Sequence, residues 1–101
     1  RHGKLQTAFQ IGDLHINTLS MQVTRQGVEV PLTRKEYELL LLFARNTGVV
    51  LSKNTIYERV WGGEYPENTR TVELHIQRMK KKLGWDERLR PVYGIGYRLE
   101  A

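Results

Sequence analysis

The residues best suited to chemistry in this chain are basic, and they are spaced for one helix. From Arg70 to Lys82, the cations Arg70, Arg78, Lys80, Lys81 and Lys82 oppose a single acid, Glu73, a net of +4 with His75 neutral. Val72, Ile76, Met79 and Leu83 recur at i, i+4, i+7 and i+11, which lines up four apolar side chains on one stripe of an α-helix. At about 100° per residue, Arg70, Leu74, Gln77 and Lys81 project from the opposite side, with Arg78 beside them and His75, Lys80 and Lys82 nearer the flanks. Guanidinium, amide and ammonium tips on one face are donors for phosphates and base edges, so the chemistry is recognition of a polyanion. A solvated basic surface that only keeps the helix in water is the competing reading.

Catalytic constellations are missing. The three histidines, His2, His15 and His75, fall in different predicted elements with no i, i+4 partner and no acidic cluster, which argues against a zinc site. With no cysteine, disulfides, thiolate metal sites and cysteine nucleophiles are excluded, and a reducing compartment is allowed. Gly94-x-Gly96 lacks a third glycine and is followed by strand formers, so it is no nucleotide fingerprint. The expectation is no enzyme, no cofactor and no metal.

The elements that must hold this helix can be read in order. Arg1 to Thr7 reads as a polar frayed end. Phe9, Ile11, Leu14, Ile16 and Leu19 alternate with polar residues, and Gln22 to Arg25 follow; Gln26-Gly27 reads as a hairpin turn into Val28 and Val30. Four short antiparallel strands are predicted over about residues 8–30. Pro31 ends them, and Thr33 with Glu36 three positions later forms a capping box for a helix through Tyr37, Leu40, Leu41 and Ala44, widened by Leu39, Leu42 and Phe43. Glu36 and Glu38 point different ways and are read as cap and solvent groups. Val49 to Leu51 form a strand-like link, and Ser52 caps a short helix, Lys53 to Val60, with Ile56 and Val60 inward. Trp61 to Pro66 hold two glycines and a proline and must be a loop. Asn68 or Thr69 is expected to cap the third helix, and Gly84 to end it. Trp85 to Arg90 read as irregular. Val92, Tyr93, Tyr97 and Leu99 are strand formers around a tight turn at Gly94-Ile95-Gly96.

Composition sets the outer bounds. The 101 residues suit one domain that buries roughly 60 to 70% of its unfolded surface. No apolar run approaches the roughly 20 residues that cross a membrane, the longest being Leu39 to Ala44. The net charge of +5, from 16 basic and 11 acidic residues, is concentrated in the last third.

Trp61-Gly62, then Arg70-Thr71-Val72-Glu73-Leu74-His75-Ile76, then Arg78-Met79-Lys80-Lys81-Lys82-Leu83, then Val92-Tyr93-Gly94-Ile95-Gly96-Tyr97-Arg98-Leu99, resemble the output domain of OmpR/PhoB-type response regulators over nearly the whole chain. The resemblance implies an α+β winged helix-turn-helix: an N-terminal four-stranded sheet, a three-helix core over 33–83 and a C-terminal hairpin wing over 90–99. It implies sequence-specific double-stranded DNA binding for transcriptional regulation, with Arg70, Leu74, Gln77 and Arg78 reading bases in the major groove. Lys53, Trp61, Thr71, His75, Lys80 and Lys81 match positions beside the DNA backbone, although Trp61 is equally read as core packing. Tyr93, Gly94, Gly96 and Arg98 belong to the wing; Tyr93 stands where relatives often carry arginine and Pro91 where they often carry threonine, which leaves Arg98 or Arg90 as the candidate wing cation. Gln77 replaces a common arginine, and glutamine pairs best with adenine.

The resemblance further places the loop residues Gly63, Glu64, Tyr65 and Glu67 toward RNA polymerase. It also implies a receiver domain and a cognate sensor kinase outside this chain, dimerisation on tandem promoter half-sites, a monomeric isolated domain and a bacterial cytoplasmic setting. Two other functions compete. A winged-helix protein-interaction module is motivated by Leu74, Tyr65 and Trp61; a non-specific RNA binder is weaker for want of a sheet-surface aromatic platform.

Overall fold

In a computed structural model, residues 6–100 are described, and the expectations for Arg1–Leu5, including His2, lie outside them. The chain divides into two compact units between Pro31 and Leu32. In the first, β1 (Ala8–Ile11), β2 (Leu14–Asn17), β3 (Gln22–Arg25) and β4 (Val28–Glu29) form an antiparallel sheet in sequence order. Alternation sets its register: Phe9 opposes Ile16 and Ile16 opposes Val23, all three buried, while Gln10, His15 and Asn17 are exposed. Gln26 and Gly27 both have positive φ, as a two-residue turn matched to strand twist requires, and the predicted hairpin sits there. Leu19 is 81% exposed instead of extending the alternation, because Asn17 Oδ1 accepts hydrogen bonds from the Leu19 and Ser20 N–H groups and ends β2 in a turn.

The second unit begins with α1 (Arg34–Ala44). Thr33 Oγ1 accepts from Glu36 N–H at 3.2 Å and Glu36 Oε1 accepts from Thr33 N–H at 2.9 Å, completing the predicted capping box. Leu39, Leu40 and Phe43 are fully buried. α2 (Lys53–Val60) is capped by Ser52, whose hydroxyl accepts from Thr55 N–H at 3.1 Å, and it buries Ile56 and Val60. α3 (Thr71–Leu83) buries Val72, Ile76, Met79 and Leu83, the stripe that periodicity picked.

Glu36 caps α1 as expected and is only 2% exposed, because its position lies beneath the last turn of α3 and Lys82 reaches it. Three sequence expectations need correction. Neither Asn68 nor Thr69 is the N-cap of α3: Asn68 is in the left-handed region, the Thr69 hydroxyl accepts from Thr71 N–H two residues on, and Arg70 becomes the N-cap with no side-chain cap bond. The strand-like link is β5 (Val50–Ser52), which pairs with β7 (Gly96–Leu99), so the hairpin of β6 (Leu89–Val92) and β7 is part of a three-stranded sheet ordered β5-β7-β6. Finally, β6 starts inside the supposed irregular stretch, at fully buried Leu89, and the turn falls at Tyr93-Gly94-Ile95, closed by Ile95 N–H to Val92 C=O at 2.9 Å, so Tyr93 is a tip residue and not a strand residue. Gly96 is buried against β5: a Cβ there would lie 1.9 Å from the Leu51 carbonyl oxygen.

Candidate nucleic-acid interface

α3 presents its two faces because its apolar stripe is satisfied on one side only. Opposite that stripe, Arg70, Leu74, Gln77, Arg78 and Lys81 are exposed, Leu74 to 42%. Leu74 thus presents an apolar tip among the cations, open to contact from outside the chain. The helix starts without a side-chain cap and ends at Gly84 in the left-handed conformation that stops it, with Lys80, Lys81 and Lys82 in the last turn where cations suit the helix dipole.

The charges on α3 divide into internal and outward groups. Lys82 Nζ donates to Glu36 Oε1 at 2.7 Å, and Glu73 Oε2 accepts from Lys53 Nζ at 2.9 Å. For Glu36, burial opposes ionisation, but the hydrogen bonds from Lys82 and Thr33 outweigh it and hold the carboxyl below its ordinary value. For Glu73 burial again opposes, and the Lys53 hydrogen bond overcomes it; the same contact raises Lys53. Removing Lys82 and Glu73 from the outward count leaves Arg70, Arg78, Lys80 and Lys81, so the helix still shows four cations to solvent, with no acid among them.

Side chains on either flank fix the surroundings. On one, Trp61 stacks on Tyr57 with ring centroids 5.4 Å apart and meets the His75 ring edge at 5.0 Å, while Lys35 lies 5.7 Å over the indole. His75 Nδ1 bonds the Thr71 carbonyl at 2.8 Å, which turns Nε2 away from the helix backbone. Trp61 is thus packed against Tyr57 and His75 while remaining half-exposed. On the other flank an open groove of about 390 Å³ runs between α3 and the hairpin, lined by Arg70, Gln77 and Lys80 on one wall and Pro91 and Tyr97 on the other. Burial, then the Glu73 charge, raises both Tyr97 and Tyr65.

The remaining predicted residues separate. Thr71 is half-buried in the first turn of α3. In the loop, Gly63, Glu64 and Glu67 are exposed, whereas Tyr65 turns in, edge-on to Tyr57 at 5.6 Å with its hydroxyl donating to Thr69 C=O at 3.4 Å. At the hairpin, Tyr93 is 99% exposed and Gly94 has φ +75°, but Gly96 is buried and offers no surface. Arg98 is held by Glu100 at 2.7 Å and Arg90 by Glu87 at 3.5 Å, so both possible wing cations have acidic partners of their own. The sequence reading missed the Glu36–Lys82 pair. Its only signal was Glu36 at a capping position, and the partner is 46 residues away. Among the described residues there is no group of three His, Cys, Asp or Glu that could hold a metal, and no helix long and apolar enough to cross a membrane.

Comparison with known proteins gives these features a context. Residues 27–99 match the family described as "Transcriptional regulatory protein, C terminal". The chain is 44% identical over 90 residues to the transcriptional regulatory protein CseB of Streptomyces coelicolor, covering 89% of this chain and 38% of that protein. It is 38% identical over 100 residues to the regulatory protein VanRB of Enterococcus faecalis, covering 99% of this chain and 45% of that protein. It therefore spans less than half the length of these relatives. Among solved structures, the RstA DNA-binding domain of Klebsiella pneumoniae, crystallised with the RstA box, superposes with a TM-score of 0.88 at 24% identity, covering 94% of this chain and 98% of that one, a likeness in fold. The response regulator DrrB of Thermotoga maritima, an OmpR/PhoB homologue, superposes with a TM-score of 0.84 at 27% identity, covering 95% of this chain and 45% of that one.

Proposed function

The chain belongs to the OmpR/PhoB-type family of transcriptional regulatory C-terminal domains, which bind DNA and are not enzymes, and from that premise we propose that it binds double-stranded DNA sequence-specifically through the outer face of α3. The observation that carries the reading is the division of α3 itself: every apolar position of one stripe is buried, and the opposite face offers Leu74, Gln77 and Arg78 between outward cations. A helix about 10 to 12 Å across enters the major groove, where glutamine can take adenine, arginine guanine and leucine a thymine methyl. Arg70 completes that set at the helix start. Thr71, His75, Lys80 and Lys81, with Lys53 and Trp61, lie to either side for contacts that set register on the phosphates. The hairpin tip presents Tyr93 and Gly94, and the nearby Arg90 and Arg98 form partly exposed pairs with Glu87 and Glu100 that a phosphate can displace.

The chain covers less than half the length of these relatives, which supports a longer parent protein; in our reading that protein carries a receiver domain answering to a sensor kinase, acts in the cytoplasm and dimerises on tandem half-sites. In that protein the exposed loop residues Gly63, Glu64 and Glu67, with Tyr65 at its base, face RNA polymerase. The test is selection of bound duplexes from a random pool, followed by affinity against salt. The three cations directed at phosphates, Lys53, Lys80 and Lys81, give a log–log slope of about −2.7, or roughly a fortyfold loss between 50 and 200 mM salt. No enrichment at low salt overturns the reading.

A further inference from the structure

Glu73 and Lys82 are nine residues apart on α3, which at about 100° per residue puts them on opposite flanks of the helix, one near each end. Each is tied by an ion pair to a different helix: Glu73 to Lys53 at the start of α2 at 2.9 Å, and Lys82 to Glu36 in the first turn of α1 at 2.7 Å. Between them lies an apolar seat of Val72, Ile76, Met79 and Leu83, all aliphatic, one of them a flexible methionine. Burial of such a stripe is non-directional and fixes which face of α3 turns inward. Fixed charge pairs are directional, and specifying register is the best-attested use of buried polar groups.

From these positions we infer that the Glu36–Lys82 and Lys53–Glu73 pairs act as a two-point clamp that sets the roll of α3, making Glu36 and Lys82 positioning residues for base readout. The inference rests on the proposed DNA-binding function. A roll of about 20° moves a side-chain tip some 5 to 6 Å from the helix axis by roughly 2 Å. That exceeds the spread of hydrogen-bond lengths, so Gln77 and Arg78 would lose their base edges while the helix stayed folded and cationic. The Glu36 end suits the task best: its carboxylate is 2% exposed and is also gripped by Thr33 N–H, so Lys82 is drawn to a point fixed by the start of α1.

The test uses Glu36→Gln together with Lys82→Met. The pair of changes leaves net charge unaltered, keeps a capping-box side chain at position 36 and leaves no buried charge unpaired. Expected are a retained thermal midpoint, unchanged affinity for random duplex, and at least about a thirtyfold loss of preference for the selected duplex, the lower bound for two lost base contacts. Lys82→Arg, which keeps the pair, should preserve the preference. If the double variant keeps the parent's preference, the clamp is refuted; if it loses random-duplex affinity to the same extent, Lys82 is a phosphate contact and the clamp is refuted equally. A readout without DNA separates failure of the clamp from failure of the DNA reading. The His75 ring, edge-on to Trp61, reports roll through its proton shifts, which should move in the double variant and stay in place in Lys82→Arg. Unmoved His75 lines in the double variant overturn the inference even if no duplex is ever selected.

Discussion

Replacing Lys82 by alanine isolates the energetics of the buried end of this arrangement. Glu36 is 2% exposed, and in the variant its carboxylate keeps the Thr33 N–H bond but loses the 2.7 Å contact to Lys82. Breaking a buried pair costs about 3 to 5 kcal/mol, but the Lys82 side chain is 40% exposed and water screens part of the interaction, so about 2 to 3 kcal/mol is the reasoned loss at pH 7. For a domain of this size that lowers the thermal midpoint by roughly 10 to 20 °C. The pH dependence gives a second check. Glu36 in the parent titrates below its ordinary value, so its stabilisation is fully present above the unfolded carboxylate pKa and is lost as pH falls through the folded value. In the variant burial acts without Lys82 to oppose it, the carboxyl protonates more readily, and the gap between the proteins should narrow between pH 7 and pH 4. Urea unfolding at both pH values measures it. A gap below about 0.5 kcal/mol at pH 7, within the range of an ordinary surface substitution, or one that does not narrow on acidification, would refute the reasoning.

Other outcomes follow from the same contacts. Gly96→Ala places a Cβ 1.9 Å from the Leu51 carbonyl, a backbone atom that cannot rotate away, and should destabilise by at least about 3 kcal/mol in thermal unfolding, detaching β5 from the hairpin; a variant as stable as the parent contradicts the β5–β7 pairing. Gln77→Ala should relax discrimination at one base pair by about 1 to 3 kcal/mol, whereas Lys81→Ala should weaken all duplexes alike and reduce the salt slope by about one, as read by competition binding across single-base variants of the selected site. Equal behaviour of the two would remove the division between reading and positioning.

How much of this was legible beforehand depended on whether the cause was local. The α3 stripe, the Thr33–Glu36 capping box, the Ser52 cap and the Gln26-Gly27 hairpin rest on spacings of two to four residues, and each stands where its pattern put it. Pairings across long separations carried no local mark. Val50–Ser52 looked like a link because its partner strand is more than 40 residues away, and Gly96 looked like part of a tight turn when its role is close approach to Leu51. Lys82 was counted as surface charge for the same reason, since only the packing of α3 on α1 brings it to Glu36. The outer face of α3 was visible in the sequence, but the pairing of Arg90 with Glu87 and of Arg98 with Glu100 was not.

The most direct test titrates the isotope-labelled domain with a duplex selected from a random pool and follows its amide and side-chain resonances. The account predicts saturable shifts centred on Leu74, Gln77, Arg78 and Lys81, with the Gln77 side-chain amide and Arg78 guanidinium moving for the selected duplex and staying in place for a scrambled one. Shifts centred away from α3, or identical for both duplexes, would contradict base reading by this helix.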